Sequence, residues 1–232
     1  MPRCKFMMLG CLLGTMLMTS SLFGSSALRP TDATETQVAS DDQASLGKIA
    51  LDPQETVNVR ISAVKRLTDQ SILGKVALAA KDSRIRIVAV EALTDQYLLG
   101  QVATKDKRSR IRALAVDKLT DQDLLGKVAI GDERPAIRMS ALAKLTDQAL
   151  LGSVALHDLE PKIRLTALKK LTDQYLVGKV AKEDKDLHIR LAAIDALTDP
   201  SILTSLGDSD DSNEIRKAAR NRLKSLSGGH ES

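Results

Sequence analysis

The sequence has no tryptophan, and only two tyrosines, two phenylalanines and two cysteines among its 232 residues. Compact globular cores ordinarily use aromatic rings to fill large volumes, because each ring buries a large apolar area. A core of small aliphatic residues instead suits thin layers that stack regularly. Both cysteines, Cys4 and Cys11, lie at the extreme N-terminus. If that segment is removed, no disulfide and no thiolate metal site is possible in the rest of the chain.

The chain also lacks a long run of charge of either sign. Lysine and arginine number 34, aspartate and glutamate number 30, and the formal net charge is +4. A nucleic-acid partner would favour a concentrated basic stripe. We therefore expect no nucleic-acid partner.

The first 27 residues have the layout of a secretory signal peptide. Arg3 and Lys5 form a positive start, residues 6–23 are mostly apolar, and small residues lead up to Ala27. This layout predicts cleavage after Ala27 and a periplasmic or extracellular protein. Two alternatives remain: an uncleaved membrane anchor, because the stretch is marginally long enough to span a bilayer, and a lipoprotein, because residues 8–11 resemble a lipid-attachment box.

Two flanking segments are predicted to be unstructured. Residues 28–41 are polar, partly acidic and without apolar periodicity, which is typical of a flexible linker. Residues 227–232, Ser-Gly-Gly-His-Glu-Ser, predict a disordered tail. The interpretable fold is therefore expected to cover residues 42–226.

A repeat of about 26 residues fills that region. Each unit has two apolar stretches at helical spacing, such as 72–77 and 85–93 in the second unit, separated by polar residues. A unit this small cannot bury its own apolar faces, so neighbouring units must cover them. The pattern predicts an all-α solenoid of seven helix pairs. Leu-Thr-Asp begins at Leu67, Leu93, Leu119, Leu145, Leu171 and Leu197.

Three features of the repeat predict details of its packing. Thr68 or Asp69 is expected to cap the helix that follows. A glycine recurs inside each first helix, at Gly74 for example, and predicts either close approach to the neighbouring repeat or a short 3₁₀ segment. In the last unit, Lys217 and Arg220 replace apolar residues. That change predicts a polar C-terminal cap and a monomeric protein.

The charged pattern of the units resembles the HEAT-like repeats of phycobilisome lyases. Leucine-rich-variant repeats are a neighbouring class that the short units also resemble. The HEAT resemblance implies a right-handed α-solenoid used for protein–protein contact. It covers residues 42–226 and rests on an aspartate, an arginine six residues later, and the alanine and leucine that follow. The aspartate–arginine pairs are Asp106/Arg112, Asp132/Arg138, Asp158/Arg164, Asp184/Arg190 and Asp210/Arg216.

These aspartates and arginines are predicted to form a structural ladder, in which an Asp–Arg bond ties down the loop between two helices. No catalytic, cofactor-binding or metal-binding residue is predicted. Some HEAT-like hydroxylases hold iron through His-Glu pairs, but His230-Glu231 is the only such pair in this sequence. A pigment-lyase activity would require a cytosolic setting, which the predicted export opposes.

Two surface rows remain as candidates for binding. A basic row is expected on the exposed side of the second helices, where it is either an ordinary solvated face or a groove for an acidic peptide or an anionic polymer; it comprises Lys65, Arg66, Lys118, Lys144, Lys169 and Lys170. An apolar row is expected to pack between repeats rather than to bind peptide; it comprises Ile61, Ile87, Met139, Leu165 and Leu191.

The leading functional hypothesis is an exported, non-catalytic scaffold that binds another protein. A HEAT-type enzyme or enzyme-maturation lyase, and a binder of an anionic cell-envelope polymer, are the alternatives. Membrane association is expected only if the N-terminal segment is uncleaved or lipidated.

Overall fold

The computed structural model of the protein describes residues 32–228, with side chains from residue 42 onward. These residues form fourteen α-helices joined by short loops, without a β-strand among them. The helices are α1 Asp32–Leu51, α2 Val57–Arg66, α3 Gln70–Ala79, α4 Ser83–Ala92, α5 Gln96–Lys105, α6 Ser109–Lys118, α7 Gln122–Gly131, α8 Pro135–Lys144, α9 Gln148–His157, α10 Pro161–Leu168, α11 Gln174–Glu183, α12 Leu187–Ala196, α13 Pro200–Ser209 and α14 Asn213–Gly228.

The helices stack as seven consecutive pairs. Each odd-numbered helix packs against the even-numbered helix that follows it, and each helix also packs against its equivalent in the next pair. The result is two layers, one of first helices and one of second helices, with a continuous apolar strip between them. The predicted all-α solenoid of seven repeats is confirmed.

The aspartate of each Leu-Thr-Asp motif starts the next first helix. Asp121, for example, accepts a hydrogen bond from the backbone N–H of Leu124 at 3.0 Å. Asp69, Asp95, Asp147, Asp173 and Asp199 make equivalent caps. Of the two residues predicted as caps, it is the aspartate that caps the helix, because its carboxylate reaches the free N–H groups of the first turn.

The core consists of small aliphatic side chains contributed in the same order by every repeat. In the fourth repeat, Leu125, Val128 and Ala129 of α7 face Ala141 and Leu142 of α8, and all are buried. The apolar row of the second helices is half-buried and packs against this core. Each internal pair thus depends on both neighbours for cover, as expected for a nearly one-dimensional protein.

The repeated glycines mark close approach between repeats, as one of the two alternatives predicted. A Cβ atom added to Gly126 would lie 2.7 Å from Leu150 Cδ1 of the next first helix, well inside van der Waals contact. Gly74, Gly100 and Gly152 meet the equivalent leucines in the same way. The first helices that carry these glycines are regular α-helices of 10 residues, so the 3₁₀ alternative is wrong.

The ends of the array differ from the predicted boundaries. Helix α1 begins at Asp32, inside the segment expected to be a linker, and α14 continues to Gly228, inside the expected tail. No glycine or proline interrupts residues 32–46, so nothing in the chain stops the helix there. The predicted signal peptide lies outside the described residues. Within residues 32–228, none of the helices has the length and apolarity needed to cross a membrane.

The last repeat ends in a polar surface. Lys217 and Arg220 of α14 are exposed where equivalent positions of earlier repeats carry apolar side chains. Charged side chains replace apolar ones because α14 has no following helix pair to cover it in the described chain.

Candidate interaction surface

Each repeated arginine is paired with an aspartate of the next repeat. Arg138 Nε donates to Asp158 Oδ2 at 2.7 Å, and Arg138 Nη2 donates to Asp158 Oδ1 at 2.9 Å. Arg138 Nη1 donates to the backbone carbonyl of Asp132, in its own repeat, at 3.0 Å. The sequence places aspartate and arginine six residues apart within one unit, but the salt bridge joins neighbouring units. The pairs are Arg86–Asp106, Arg112–Asp132, Arg138–Asp158, Arg164–Asp184 and Arg190–Asp210.

The two ends of the ladder are exceptions that follow from the sequence. Arg60 faces a repeat in which Ala80 stands in place of the aspartate, and its Nε donates to the backbone carbonyl of Ala50 at 2.9 Å instead. Arg216 belongs to the last repeat and donates to the carbonyls of Asp210 and Asp211 in its own loop. The ladder therefore holds repeats two to seven in register and serves as structure along its whole length.

Two aspartates of the ladder, Asp132 and Asp158, have pKa values below the ordinary range for aspartate. Burial by itself would raise the pKa of Asp158, but hydrogen bonds from Arg138 and from the backbone N–H of Glu160, with the charges of Arg138 and Arg164, lower it. The same opposing influences, with Arg112 as the hydrogen-bonding arginine, lower the pKa of Asp132. These carboxylates bind protons less readily in the folded chain than in the unfolded one.

A pH dependence of stability follows. A depressed folded pKa gives stability that is present above the unfolded value of about 3.9 and is lost as the pH falls through the folded value. We expect the Tm, measured by circular dichroism, to fall steadily as the pH is lowered below about 4. The double variant Arg138→Met/Asp158→Met removes one such carboxylate, and its Tm should fall less steeply. An identical slope in the two proteins would contradict this account.

A second ladder, of glutamines, clamps the loops between repeats. Gln122 Oε1 accepts from the backbone N–H of Thr146 at 2.7 Å and of Asp147 at 3.3 Å, while its Nε2 donates to the carbonyl of Lys144 at 3.3 Å. Gln43, Gln70, Gln96, Gln148 and Gln174 accept from the equivalent loops.

The contacts of these glutamines were not predicted, although the sequence carries a signal for them. A glutamine follows Leu-Thr-Asp in five consecutive motifs and is replaced by Pro200 in the sixth. The replacement occurs where the described chain has no further loop of this kind to hold. A side chain that recurs with the period and disappears at the end of the array indicates a contact to the next repeat.

Three lysines of the predicted basic row have structural partners. Lys144 Nζ donates to the carbonyls of Val116 at 3.1 Å and Asp117 at 2.7 Å, in the last turn of α6. Lys118 makes the equivalent contacts with α4, and Lys170 with α8. All three are half-buried, and burial lowers the pKa of Lys170. The expectation that they form an exposed binding row is wrong, because their ammonium groups satisfy helix-end carbonyls.

Replacing Lys144 by methionine tests this assignment. Methionine keeps an apolar stem of similar length but leaves the two carbonyls of α6 without their charged donor. We expect the free energy of unfolding, measured by urea denaturation, to fall by about 1.5–3 kcal/mol. The matched control is Lys169→Met, at an exposed lysine of the same predicted row, which should change stability by less than about 0.5 kcal/mol. Equal effects of the two substitutions would argue against the capping role.

The other three residues of the predicted row are exposed but do not form one patch. Arg66 Nη2 lies 3.2 Å from Asp42 Oδ2, in an exposed pair. Lys65 is its neighbour on α2, whereas Lys169 follows α10, four repeats away. A single groove lined by all six basic residues is therefore not present.

Exposed positive charge is concentrated elsewhere, at the loops that join first to second helices in repeats two to four. We call this set the basic edge, and every member is exposed; it comprises Lys81, Arg84, Lys105, Lys107, Arg108, Arg110 and Arg134. The sequence carries this signal locally, since residues 105–112 contain five positive side chains and one negative. This cluster of positive charge does not recur with the repeat period, because the other repeats have different residues at these positions.

A separate groove of about 430 Å³ lies between α11 and α13. Its polar lining includes Tyr175, Lys179, Lys182, Ser201 and Ser205. Among the residues that the structure describes, no group of three histidine, cysteine, aspartate or glutamate side chains is placed to hold a metal ion. Every buried polar side-chain atom in that same part of the chain has a hydrogen-bond partner.

The fold and its interfaces define an α-helical repeat array whose recurring polar side chains join one repeat to the next. Comparison with known proteins adds no identity: no protein-family model, no curated protein and no solved structure matches this chain.

Proposed function

We propose that this protein is an exported, non-catalytic adaptor that presents the surface of its helical array to another protein. The proposal depends on a contrast between buried interface positions, whose residues are nearly constant, and an exposed position, whose residue varies from repeat to repeat. Interface residues recur almost unchanged, whereas the exposed position that follows the glutamine of the first helix is Tyr97, Asp123, Ala149 and Tyr175 in successive repeats. A scaffold with constant contacts and a varied surface provides an extended face on which different chemistry can be displayed.

Two further points support the proposal. Tyr97 and Tyr175 are 67% and 69% exposed, and exposed tyrosines are enriched where proteins bind one another. The resemblance of the charged pattern to HEAT-like repeats favours the same role. Export is proposed from the layout of residues 1–27, and N-terminal sequencing of the protein from a cell-envelope fraction tests it. Leu28 is the expected first residue, whereas an intact Met1 in the cytosol would contradict export.

Photo-crosslinking in cells tests the adaptor role. A photoreactive amino acid is placed at Tyr97, Asp123, Ala149 or Tyr175 of the full chain, one position at a time. We expect one discrete adduct whose yield varies among the four positions, because a partner lies against particular repeats. Competition by excess purified protein should remove the adduct. Absence of an adduct from all exposed positions, or turnover of a substrate by the purified chain, would contradict the proposal.

A further inference from the structure

We infer that the basic edge is the docking site for an extended acidic segment of the partner protein, an inference that rests on the proposed adaptor function. Its residues belong to the loops α3–α4, α5–α6 and α7–α8 and to the adjoining turns of those helices. The salt bridges Arg86–Asp106 and Arg112–Asp132 tie each loop to the next. The three loops are consequently held side by side along one edge of the array.

Two adjoining grooves run along this edge. The first, of about 370 Å³, is lined by Lys81, Lys105 and Lys107 together with Leu78. The second, of about 440 Å³, is lined by Arg84, Arg108, Arg110 and Arg134, and Lys107 belongs to both. The shared lysine makes the two grooves one continuous basic surface.

The nearby carboxylates are already occupied. Asp82 is bonded to Arg84 at 2.7 Å, while Asp132 and Glu133 are both bonded to Arg112. Within residues 42–228, Lys107, Arg108, Arg110 and Arg134 have no carboxylate within salt-bridge distance. The basic edge therefore carries positive charge that the described chain does not neutralise.

The starts of two helices add to this charge. Helices α6 and α8 begin after Arg108 and Arg134, and neither arginine provides a side-chain cap for the free N–H groups of the first turn. By contrast, Asp82 caps α4 and Asp186 caps α12. An acidic ligand placed at the basic edge would find the positive ends of two helix dipoles beside the guanidinium groups.

The charge is densest in repeats two to four, although single lysines, Lys162 and Lys185, stand at equivalent positions in the fifth and sixth repeats. The positions equivalent to Lys107 and Arg110 are occupied by Leu159 and Lys162 in the fifth repeat, and by Asp211 and Glu214 in the seventh. A general requirement for solubility would spread charge along all the loops. Its concentration in three consecutive repeats favours a bound segment of defined length.

The lining favours polypeptide as the ligand. Leu78 is 44% exposed in the first groove, and half-buried Ile87 lines the second, so a ligand that covers them must carry apolar as well as acidic groups. The guanidinium groups of Arg108, Arg110 and Arg134 can each bind a carboxylate through two parallel hydrogen bonds. Neighbouring helices pack about 10 Å apart, so three loops span roughly 20 Å, the length of about six extended residues.

Fluorescence anisotropy with the full mature chain tests the inference. The probe is a labelled peptide of about twelve residues, enough to cross the three loops, with glutamate at every second position and leucine or serine between. We expect saturable binding that weakens with salt. The same peptide with glutamine for glutamate should not bind. The double variant Lys107→Gln/Arg110→Gln should raise the Kd about tenfold.

The matched control is Lys162→Gln/Lys185→Gln, which removes two exposed charges from equivalent positions in the fifth and sixth repeats. It should change the Kd by about twofold or less. Circular dichroism establishes that both variants are folded. Equal binding by the wild type and the Lys107/Arg110 variant would overturn the inference. So would tighter binding of a sulfated polysaccharide than of the peptide, or self-association at low salt that the same variant abolishes.

The two proposals fail in different ways. If adducts form in cells and persist unchanged in the Lys107→Gln/Arg110→Gln variant, the adaptor role stands and the basic edge is the wrong surface. If no adduct forms at any exposed position, the adaptor role fails whatever the peptide does.

Discussion

Replacement of Arg164 by alanine is expected to lower the free energy of unfolding by about 3–5 kcal/mol. The side chains of Arg164 and Asp184 are 2% and 0% exposed, and they are joined at 2.8 Å. Arg164 Nη1 also donates to the backbone carbonyl of Asp158 at 3.0 Å. Truncation leaves a buried carboxylate without its countercharge and a buried carbonyl without its donor. The cost is set by these unpaired groups rather than by the net contribution of the intact pair.

Two comparisons separate this account from a general effect of removing arginine. Arg66→Ala breaks the exposed pair with Asp42 and should change the free energy of unfolding by less than about 1 kcal/mol. The double variant Arg164→Met/Asp184→Leu removes both buried charges and should recover most of the loss caused by Arg164→Ala. Urea denaturation measures all three. A double variant as unstable as the single one would show that the unpaired carboxylate is not the cause.

The salt-bridge ladder therefore contributes more to the alignment of the repeats than to the net stability of the fold. A buried ion pair contributes little net energy over apolar residues of the same shape, but a mispaired one is strongly unfavourable. Arg138 can reach Asp158 only when the fifth repeat stacks in register on the fourth. Aliphatic faces that differ little from repeat to repeat would otherwise tolerate sliding. The observed pairing penalises any stacking shifted along the helix axes.

The fold was predictable from the sequence because its determinants are local and periodic. The caps, the loops and the apolar faces each depend on residues within a few positions of one another, and the period repeats the same information seven times. Gly126 could also be interpreted correctly, since a helix-weakening residue that recurs at one position indicates close approach. Its partner, Leu150, is one repeat away and could not be named from a single unit.

The candidate site was predicted poorly for two physical reasons. A helical wheel places Lys144 on the exposed side of α8, but its long stem carries the ammonium group back to the carbonyls of α6, a contact that one helix cannot reveal. The basic edge was missed because Lys107 and Arg110 are departures from the repeat. Residues that recur with the period identify the scaffold. A specific binding surface on such a scaffold is expected at residues that depart from the repeat.

Excision of one whole repeat is expected to give a folded protein, whereas excision of one helix is not. Deleting residues 122–147 joins Asp121 to Gln148, which is the same Asp-Gln junction that the chain uses elsewhere. Arg112 then faces Asp158 in place of Asp132, and Gly100 faces Leu150 in place of Leu124. Each lost partner is replaced by a residue of the same type, so only one inter-repeat interface is removed. We expect a single cooperative melting transition at a lower Tm.

Deleting residues 122–134 removes only half as much chain but should be far more damaging. It takes away α7, including the buried Leu125, Val128 and Ala129, and joins α6 directly to α8, two second helices in succession. The apolar face of α8 then has no first helix to cover it, and Gly100 has no leucine opposite. We expect loss of the cooperative transition by circular dichroism and aggregation by sedimentation. Were this shorter deletion to melt as cooperatively as the 26-residue one, each helix pair could not be the unit that shields its neighbours.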